Sequence, residues 1–101
     1  MKITVTRSGG FAGIAEDLLT LDTEELDASL AGQVQQLVSK AGLSALPEFV
    51  SGGEVGADYQ RYEIEVAEGE VRHRVQFQDD ESPETAPLRR LVDDLRALAR
   101  R

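Results

Sequence analysis

The segment from Tyr59 to Gln78 constrains the fold most, because apolar and polar side chains alternate along it on both sides of a short Glu-Gly sequence. Such alternation places every second side chain on one face of a strand, and two strands joined by two residues pair as an antiparallel hairpin. With Glu68-Gly69 as the turn, the predicted apolar pairs are Val66 with Val71, Ile64 with His73 and Tyr62 with Val75. The predicted pairs of opposite charge, on the other face, are Glu65 with Arg72 and Glu63 with Arg74.

A second hairpin is predicted at the beginning of the chain, where Ile3 and Val5 alternate with polar residues. Pairing with the segment from Asp17 to Leu21 places Ile3 opposite Leu21 and Val5 opposite Leu19. These apolar side chains then share one face, as antiparallel pairing of a half-buried sheet requires. The two strands are joined by a glycine-rich turn.

Two further segments show the apolar spacing of amphipathic helices. Asp22 and Glu25 resemble a capping box before the first of them, and Gly42 stands where a helix commonly ends. Ser82 and Pro83 are typical of the N-cap and first residue of the second. The apolar positions are Leu26, Leu30, Val34, Leu37, Val38 and Ala41 in the first helix, and Leu88, Leu91, Val92, Leu95 and Leu98 in the second.

The segment from Leu43 to Asp58 contains a proline and several glycines, so it is predicted to be a loop anchored by Leu43, Leu46 and Phe49. The predicted order is therefore ββαββα. This order corresponds to an α+β fold with a four-stranded, mainly antiparallel sheet and two helices packed on one face. A chain of 101 residues has the usual size of one domain, and we expect a single domain over residues 1–101.

The composition narrows the classes of partner. Hydrophobic residues make up 41% of the chain and charged residues 30%, as in soluble globular domains. The 19 acidic and 11 basic residues give a formal charge of −8, which repels a nucleic-acid backbone. The chain has neither the apolar core of a signal peptide nor an apolar run of about 20 residues, the length of a membrane span. We therefore expect a cytoplasmic, soluble protein that binds neither nucleic acid nor membranes.

The residue types that support catalysis are scarce. The chain has no cysteine and one histidine, His73, so it can form neither a cysteine nucleophile nor a two-histidine metal site. The alternation of Val71, His73, Val75 and Phe77 places His73 on the inner face of a strand, where we interpret it as structural. We expect no catalytic residue, no metal site and no cofactor.

Adjacent carboxylates are abundant, and we interpret them as helix-capping or solvated charges. No apolar pocket that would raise a pKa is evident around any of them, and the spacing of an EF-hand calcium loop is missing. These groups are Glu16-Asp17, Glu24-Glu25, Asp79-Asp80-Glu81 and Asp93-Asp94.

The turn between the first two strands is the strongest candidate for a functional surface. It consists of Ser8, Gly9, Gly10, Phe11, Ala12, Gly13 and Ile14. It is not a phosphate-binding loop, because it joins two strands and lacks the lysine of such loops. Phe11 could fold back over the sheet edge as a lid. We favour the alternative that the turn presents Phe11 or Ile14 to a protein partner as an apolar anchor.

A second glycine-rich stretch is either slack chain or a second contact loop. Its candidate contact residues are Gly52, Gly53, Glu54, Val55, Gly56 and Asp58. Tyr59 and Tyr62, which follow it, are interpreted as wall and core residues of a strand.

The segment Thr4-Val5-Thr6-Arg7-Ser8-Gly9-Gly10-Phe11-Ala12-Gly13-Ile14 resembles the opening of the emfourin family, the bacterial protealysin inhibitors. The similarity continues, in the order of that family, along most of the chain. It includes Ala45-Leu46-Pro47, Ala57-Asp58, Tyr62-Glu63-Ile64-Glu65-Val66, Arg72-His73-Arg74-Val75 and Pro87-Leu88-Arg89-Arg90-Leu91.

The resemblance implies a protein inhibitor that occupies the active-site cleft of a thermolysin-like zinc metalloprotease, with the zinc belonging to the protease. It further implies that the turn from Ser8 to Ile14 is the main contact and the stretch from Ser51 to Asp58 its neighbour. Such proteases, as a class, favour a bulky apolar residue just after the scissile bond, so Phe11 or Ile14 would fill that pocket.

Two other functions are open at this point. One is a different interaction module that binds a partner through a sheet edge or a helix face. The other is an enzyme of unknown type, against which the absence of a nucleophile or metal set argues. We expect the free protein to be a monomer.

Overall fold

The computed structural model describes residues 1–9, 15–52 and 59–100. Along the chain the elements are β1 (Lys2–Ser8), β2 (Glu16–Asp22), α1 (Ala28–Ala41), a 3-10 turn (Leu43–Ala45), β3 (Phe49–Val50), β4 (Arg61–Glu68), β5 (Val71–Gln78) and α2 (Ala86–Ala99).

The strands form one mixed sheet in the order β2-β1-β4-β5-β3. The predicted α+β class with two helices is confirmed, but the prediction of four strands is wrong. Phe49 and Val50 form a fifth strand that runs parallel to β5, and the Gln76 N–H donates to the Glu48 carbonyl at 2.7 Å beside it. A two-residue strand is too short to show alternation of apolar and polar side chains, so the sequence pattern does not predict it.

The first hairpin has the predicted register, with Ile3 opposite Leu21 and Val5 opposite Leu19. The pairing then shifts by one residue, and Leu18 is the extra residue of a β-bulge. Such a bulge bends and twists the strand next to the glycine-rich turn.

The second hairpin forms, but its predicted register is wrong by two residues. Ile64 lies opposite Val75 and Val66 opposite His73, and the turn is Gly69-Glu70. Gly69 has φ 60°, and a glycine with positive φ at the first central position is what a type II′ turn requires. A shift of two residues keeps every side chain on its predicted face.

The predicted charge pairs of this hairpin are present as diagonal contacts. Arg72 lies 3.1 Å from Glu65, and Arg74 lies 3.6 Å from Glu63. The long arginine side chains reach the neighbouring position on the same face of the sheet, so opposite charges still attract after the shift.

Both helices begin later than predicted. The N-cap of α1 is Asp27, whose carboxylate accepts from the Leu30 N–H at 2.9 Å, whereas Asp22 accepts from the Glu24 N–H in a preceding turn. The N-cap of α2 is Thr85 instead of Ser82. At its other end, α1 stops at Gly42 as predicted, with the left-handed φ of 62°.

One apolar core lies between the helices and the inner face of the sheet. It is formed by Ile3, Val5, Leu19, Leu21, Val34, Val38, Leu43, Ile64, Val66, Val75, Phe77, Leu88, Leu91, Val92 and Leu95. No helix of the described residues has the length and apolar character needed to cross a bilayer.

The residues of β5 that lie in the apolar core are Val75 and Phe77. His73 lies on the inner face of the sheet with Val75 and Phe77, as predicted, but its side chain is exposed. Tyr62 is half-buried and stacks on Phe77 with 5.1 Å between ring centroids, whereas Tyr59 is 42% exposed and lies outside the core.

We expect Phe77→Ala to lower the free energy of unfolding by about 3–5 kcal/mol, because a fully buried ring is lost together with its stacking on Tyr62. Urea denaturation measures the change. The matched control on the same strand is Val71→Ala, at a side chain that is 58% exposed, with an expected change within about 0.5 kcal/mol. Equal losses in the two variants would contradict this core.

Candidate functional site

The two glycine-rich segments leave the sheet at the same end. Ser8 at the end of β1 pairs with Arg61 at the start of β4, and Val50 at the end of β3 lies beside Phe77 near the end of β5. The turn after β1 and the stretch between β3 and β4 are therefore rooted next to each other.

Of the predicted contact residues, the structure describes Ser8, Gly9 and Gly52 at these roots. The predictions for Gly10, Phe11, Ala12, Gly13 and Ile14 fall outside the described residues. The same holds for Gly53, Glu54, Val55, Gly56 and Asp58.

Gly9 brings the two roots into contact. A Cβ at this position would lie 2.8 Å from the Gln60 Cα and 3.2 Å from the Tyr59 carbonyl oxygen. Its φ of 150° also lies in a region that is essentially restricted to glycine. The close approach of the turn to the chain entering β4 thus requires a glycine.

An ion pair closes the base of the turn. The Arg7 guanidinium lies 2.8 Å from the Glu16 carboxylate, joining the last residues of β1 to the first of β2. Hydrogen bonds with Glu16 and then with Tyr62 raise the pKa of Arg7 above its ordinary value. The guanidinium therefore links β1 to β2 where the turn begins.

The carboxylate of Asp80 organises the root of the second stretch. Its Oδ2 accepts from the Gly52 N–H at 2.7 Å and from the Gln78 amide at 3.1 Å. Its Oδ1 accepts from the Ser82 N–H at 3.1 Å, the Ser82 hydroxyl at 2.5 Å and the Thr85 hydroxyl at 3.2 Å. These donors, led by the Ser82 hydroxyl and then the Gly52 N–H, hold the pKa of Asp80 far below its usual range.

Gly52 packs against Ser82, in the segment between β5 and α2. A Cβ at this position would collide with the Ser82 Cβ, so this packing too requires a glycine. The Ser82 carbonyl in turn accepts from Arg89 at 2.8 Å. The root of the stretch is thereby tied to α2.

The guanidinium of Arg61 lies over the ring of Phe49, 5.4 Å from its centroid. This cation–π contact joins β3 to β4 across the base of the second stretch. Both ends of the second stretch are thus held by side-chain contacts with several elements.

Sequence reasoning missed Asp80, because it interpreted Asp79-Asp80-Glu81 only as helix-capping or solvated charges. The spacing of Asp80 and Ser82 is that of an Asx turn, in which a side chain accepts from the N–H two residues on. That spacing could have indicated a fixed carboxylate, whereas the bond to Gly52 crosses the fold and has no local signal.

The described residues form the base from which the two glycine-rich segments leave the sheet. Within residues 1–9, 15–52 and 59–100, no three histidine or carboxylate side chains are placed to hold a metal ion. What these residues do provide is a rigid base for two neighbouring glycine-rich segments, and glycines let a partner approach the backbone closely.

Comparison with protein families gives one match, to the family described as Emfourin, over residues 5–96. Comparisons with curated proteins and with solved structures give no significant match.

We expect Gly9→Ala to lower the free energy of unfolding by about 1–3 kcal/mol, because alanine meets both a strained φ and the Gln60 backbone. The control is Gly32→Ala in α1, where a Cβ meets nothing within 4 Å; it is expected to stabilise the protein by about 0.5–1 kcal/mol. Thermal denaturation measures both. A neutral Gly9→Ala would contradict the close approach.

Asp80 makes a pH-dependent contribution to stability. Its pKa is lower in the folded than in the unfolded chain, so its contribution is complete above the unfolded pKa of about 3.9 and declines as the pH falls below it. The melting temperatures of the wild type and Asp80→Asn should differ most above pH 4 and converge toward pH 2.5. An unchanged difference across that range would contradict the assignment.

Proposed function

Because the chain belongs to the emfourin family, a family of protease inhibitors, we propose that it inhibits thermolysin-like zinc metalloproteases by filling the active-site cleft with the turn from Ser8 to Ile14. The observation that carries this mode of inhibition is the contact of Gly9 with the Gln60 backbone. That contact roots the turn and the second stretch side by side, so that both face one partner.

The turn supplies the residue types that such a cleft accepts. Phe11 and Ile14 are its two bulky apolar residues, and the proteases of this class favour a bulky apolar residue just after the scissile bond. In this proposal one of them enters that pocket, and the zinc is the protease's own. The neighbouring glycines allow the backbone to approach the walls of the cleft.

The base of the turn supports tight binding. The Arg7 to Glu16 ion pair joins the two strands that the turn connects, and the pairing of Ser8 with Arg61 fixes the end of β1 to β4. A segment held at its ends loses less conformational entropy on binding than a free peptide of the same sequence. The second stretch, with Gly52 at its root, then contacts the rim of the same cleft.

An alternative function is a non-inhibitory interaction module with an unknown partner. The observation that favours it is the edge of β5, where β3 pairs only with Gln76 and Phe77. Among the described residues, the edge from Val71 to Arg74 has no partner strand, and open edges are common sites of strand addition.

Titration of a thermolysin-like metalloprotease with the protein, followed on a peptide substrate, should give nearly stoichiometric loss of activity. We expect Phe11→Ala or Ile14→Ala to raise the inhibition constant by roughly 30-fold, the effect of losing a binding hot spot of about 2 kcal/mol. Val71→Ala, at the opposite end of the sheet, is the control and should inhibit like the wild type. Undiminished inhibition by both turn variants would overturn this mode and favour binding through another surface.

A further inference from the structure

Two consecutive residues between β5 and α2 hold both ends of the second glycine-rich stretch. The Asp80 carboxylate accepts from the Gly52 N–H at 2.7 Å, at the beginning of the stretch, and the Asp79 N–H donates to the Gln60 carbonyl at 2.9 Å, after it. Two neighbouring residues therefore bind the chain on both sides of the stretch.

We propose that Asp79 and Asp80 act as a clamp on this stretch and that Asp80 is a positioning residue for the inhibitory surface. The second half of this inference rests on the proposed function; the clamp itself does not. Asp80 acts through Gly52, since its carboxylate is occupied by hydrogen bonds within the protein.

The clamp is anchored in the core of the molecule. Gln78 and Thr85, which donate to the two oxygens of Asp80, are both completely buried. Ser82 donates to Oδ1 through both its N–H and its hydroxyl. With partners on both oxygens the carboxylate has one orientation, and hydrogen bonds to an ionised acceptor are among the stronger ones in proteins.

Local turn formation accounts for only part of this network. The bonds from Ser82 and Thr85 lie within five residues of Asp80 and hold the turn before α2. The bond from Gly52 comes from a residue 28 positions away and is not part of that turn. It fixes the beginning of the second stretch to the segment before α2.

The clamp also reaches the first turn. Gln60, which Asp79 holds, is the residue whose backbone Gly9 contacts. Fixing Gln60 therefore fixes the surface against which the turn from Ser8 to Ile14 is rooted. The roots of the two segments proposed to enter the cleft and contact its rim are held in one relative position before the protease binds, which lowers the entropic cost of binding.

The experiment compares Asp80→Ala with Asp27→Ala. Both variants lose one carboxylate that accepts from backbone N–H groups near a helix, and Asp27 lies beyond the end of β2 that is remote from the two glycine-rich segments. Inhibition constants against a thermolysin-like metalloprotease are measured well below the melting temperature of each variant. Hydrogen exchange of the Gly52 amide is followed by NMR in the free, 15N-labelled protein. Asp80→Asn serves as a milder variant if Asp80→Ala does not fold.

We expect Asp80→Ala to raise the inhibition constant about tenfold and to speed exchange of the Gly52 amide by at least as much. Asp27→Ala should lower the melting temperature and change neither quantity. Unaltered Gly52 exchange in the Asp80 variants would overturn the clamp. Faster exchange with an unaltered inhibition constant, or equal loss of inhibition in both Asp→Ala variants, would overturn the positioning role.

The inhibition constants and the exchange of the Gly52 amide are separate measurements, and they keep this inference separate from the proposed function. If the wild-type protein fails to inhibit any such protease, the proposed function and the positioning role both fail. The exchange of the Gly52 amide still decides whether the clamp exists, because it is measured without a protease.

Discussion

The pairing of β1 with β4 is the interaction on which the rest of the structure depends. It places Ile3 opposite Val66 and Val5 opposite Ile64, and all four side chains lie in the core. This pairing joins two hairpins that are local in sequence into a single sheet. It also brings the end of β1 next to the start of β4, so the turn after β1 and the stretch before β4 are rooted at the same place.

Local patterns in the sequence were sufficient to predict the two hairpins and two helices, because alternation and helical periodicity depend on neighbours. They were not sufficient where competing local signals were nearly equal. Glu68-Gly69 and Gly69-Glu70 both give a two-residue turn with the same faces, and only the backbone conformation of Gly69 selects the second. Likewise, Asp22 and Asp27 both precede apolar helical positions, and the helix begins after the latter.

The candidate site shows the same division between local and long-range information. The glycine-rich composition around Gly9 and Gly52 distinguishes both segments in the sequence. Their proximity depends on strand pairing, and the bond from Gly52 to Asp80 depends on the parallel strand β3, which has no recognisable sequence pattern. A carboxylate that belongs to a run of three acidic residues is, from sequence alone, indistinguishable from a solvated one.

Family membership and geometry contribute different parts of the functional proposal. Membership in the emfourin family points to a protease as partner. Gly9, Gly52 and their supporting contacts lie at one end of the sheet, and in the proposed mode this end meets the partner. The turn at Gly69 lies at the opposite end of the sheet and joins the strands of the second hairpin.

The most direct test is hydrogen exchange of the backbone amides of the protein, free and in complex with a thermolysin-like metalloprotease. Protection on binding is expected for residues 8–16 and 51–61, with exchange in α1 and at the Gly69-Glu70 turn unchanged. Protection confined to the helices or to the Val71 to Arg74 edge of β5, with residues 8–16 unaffected, would contradict the proposal that the turn fills the protease cleft.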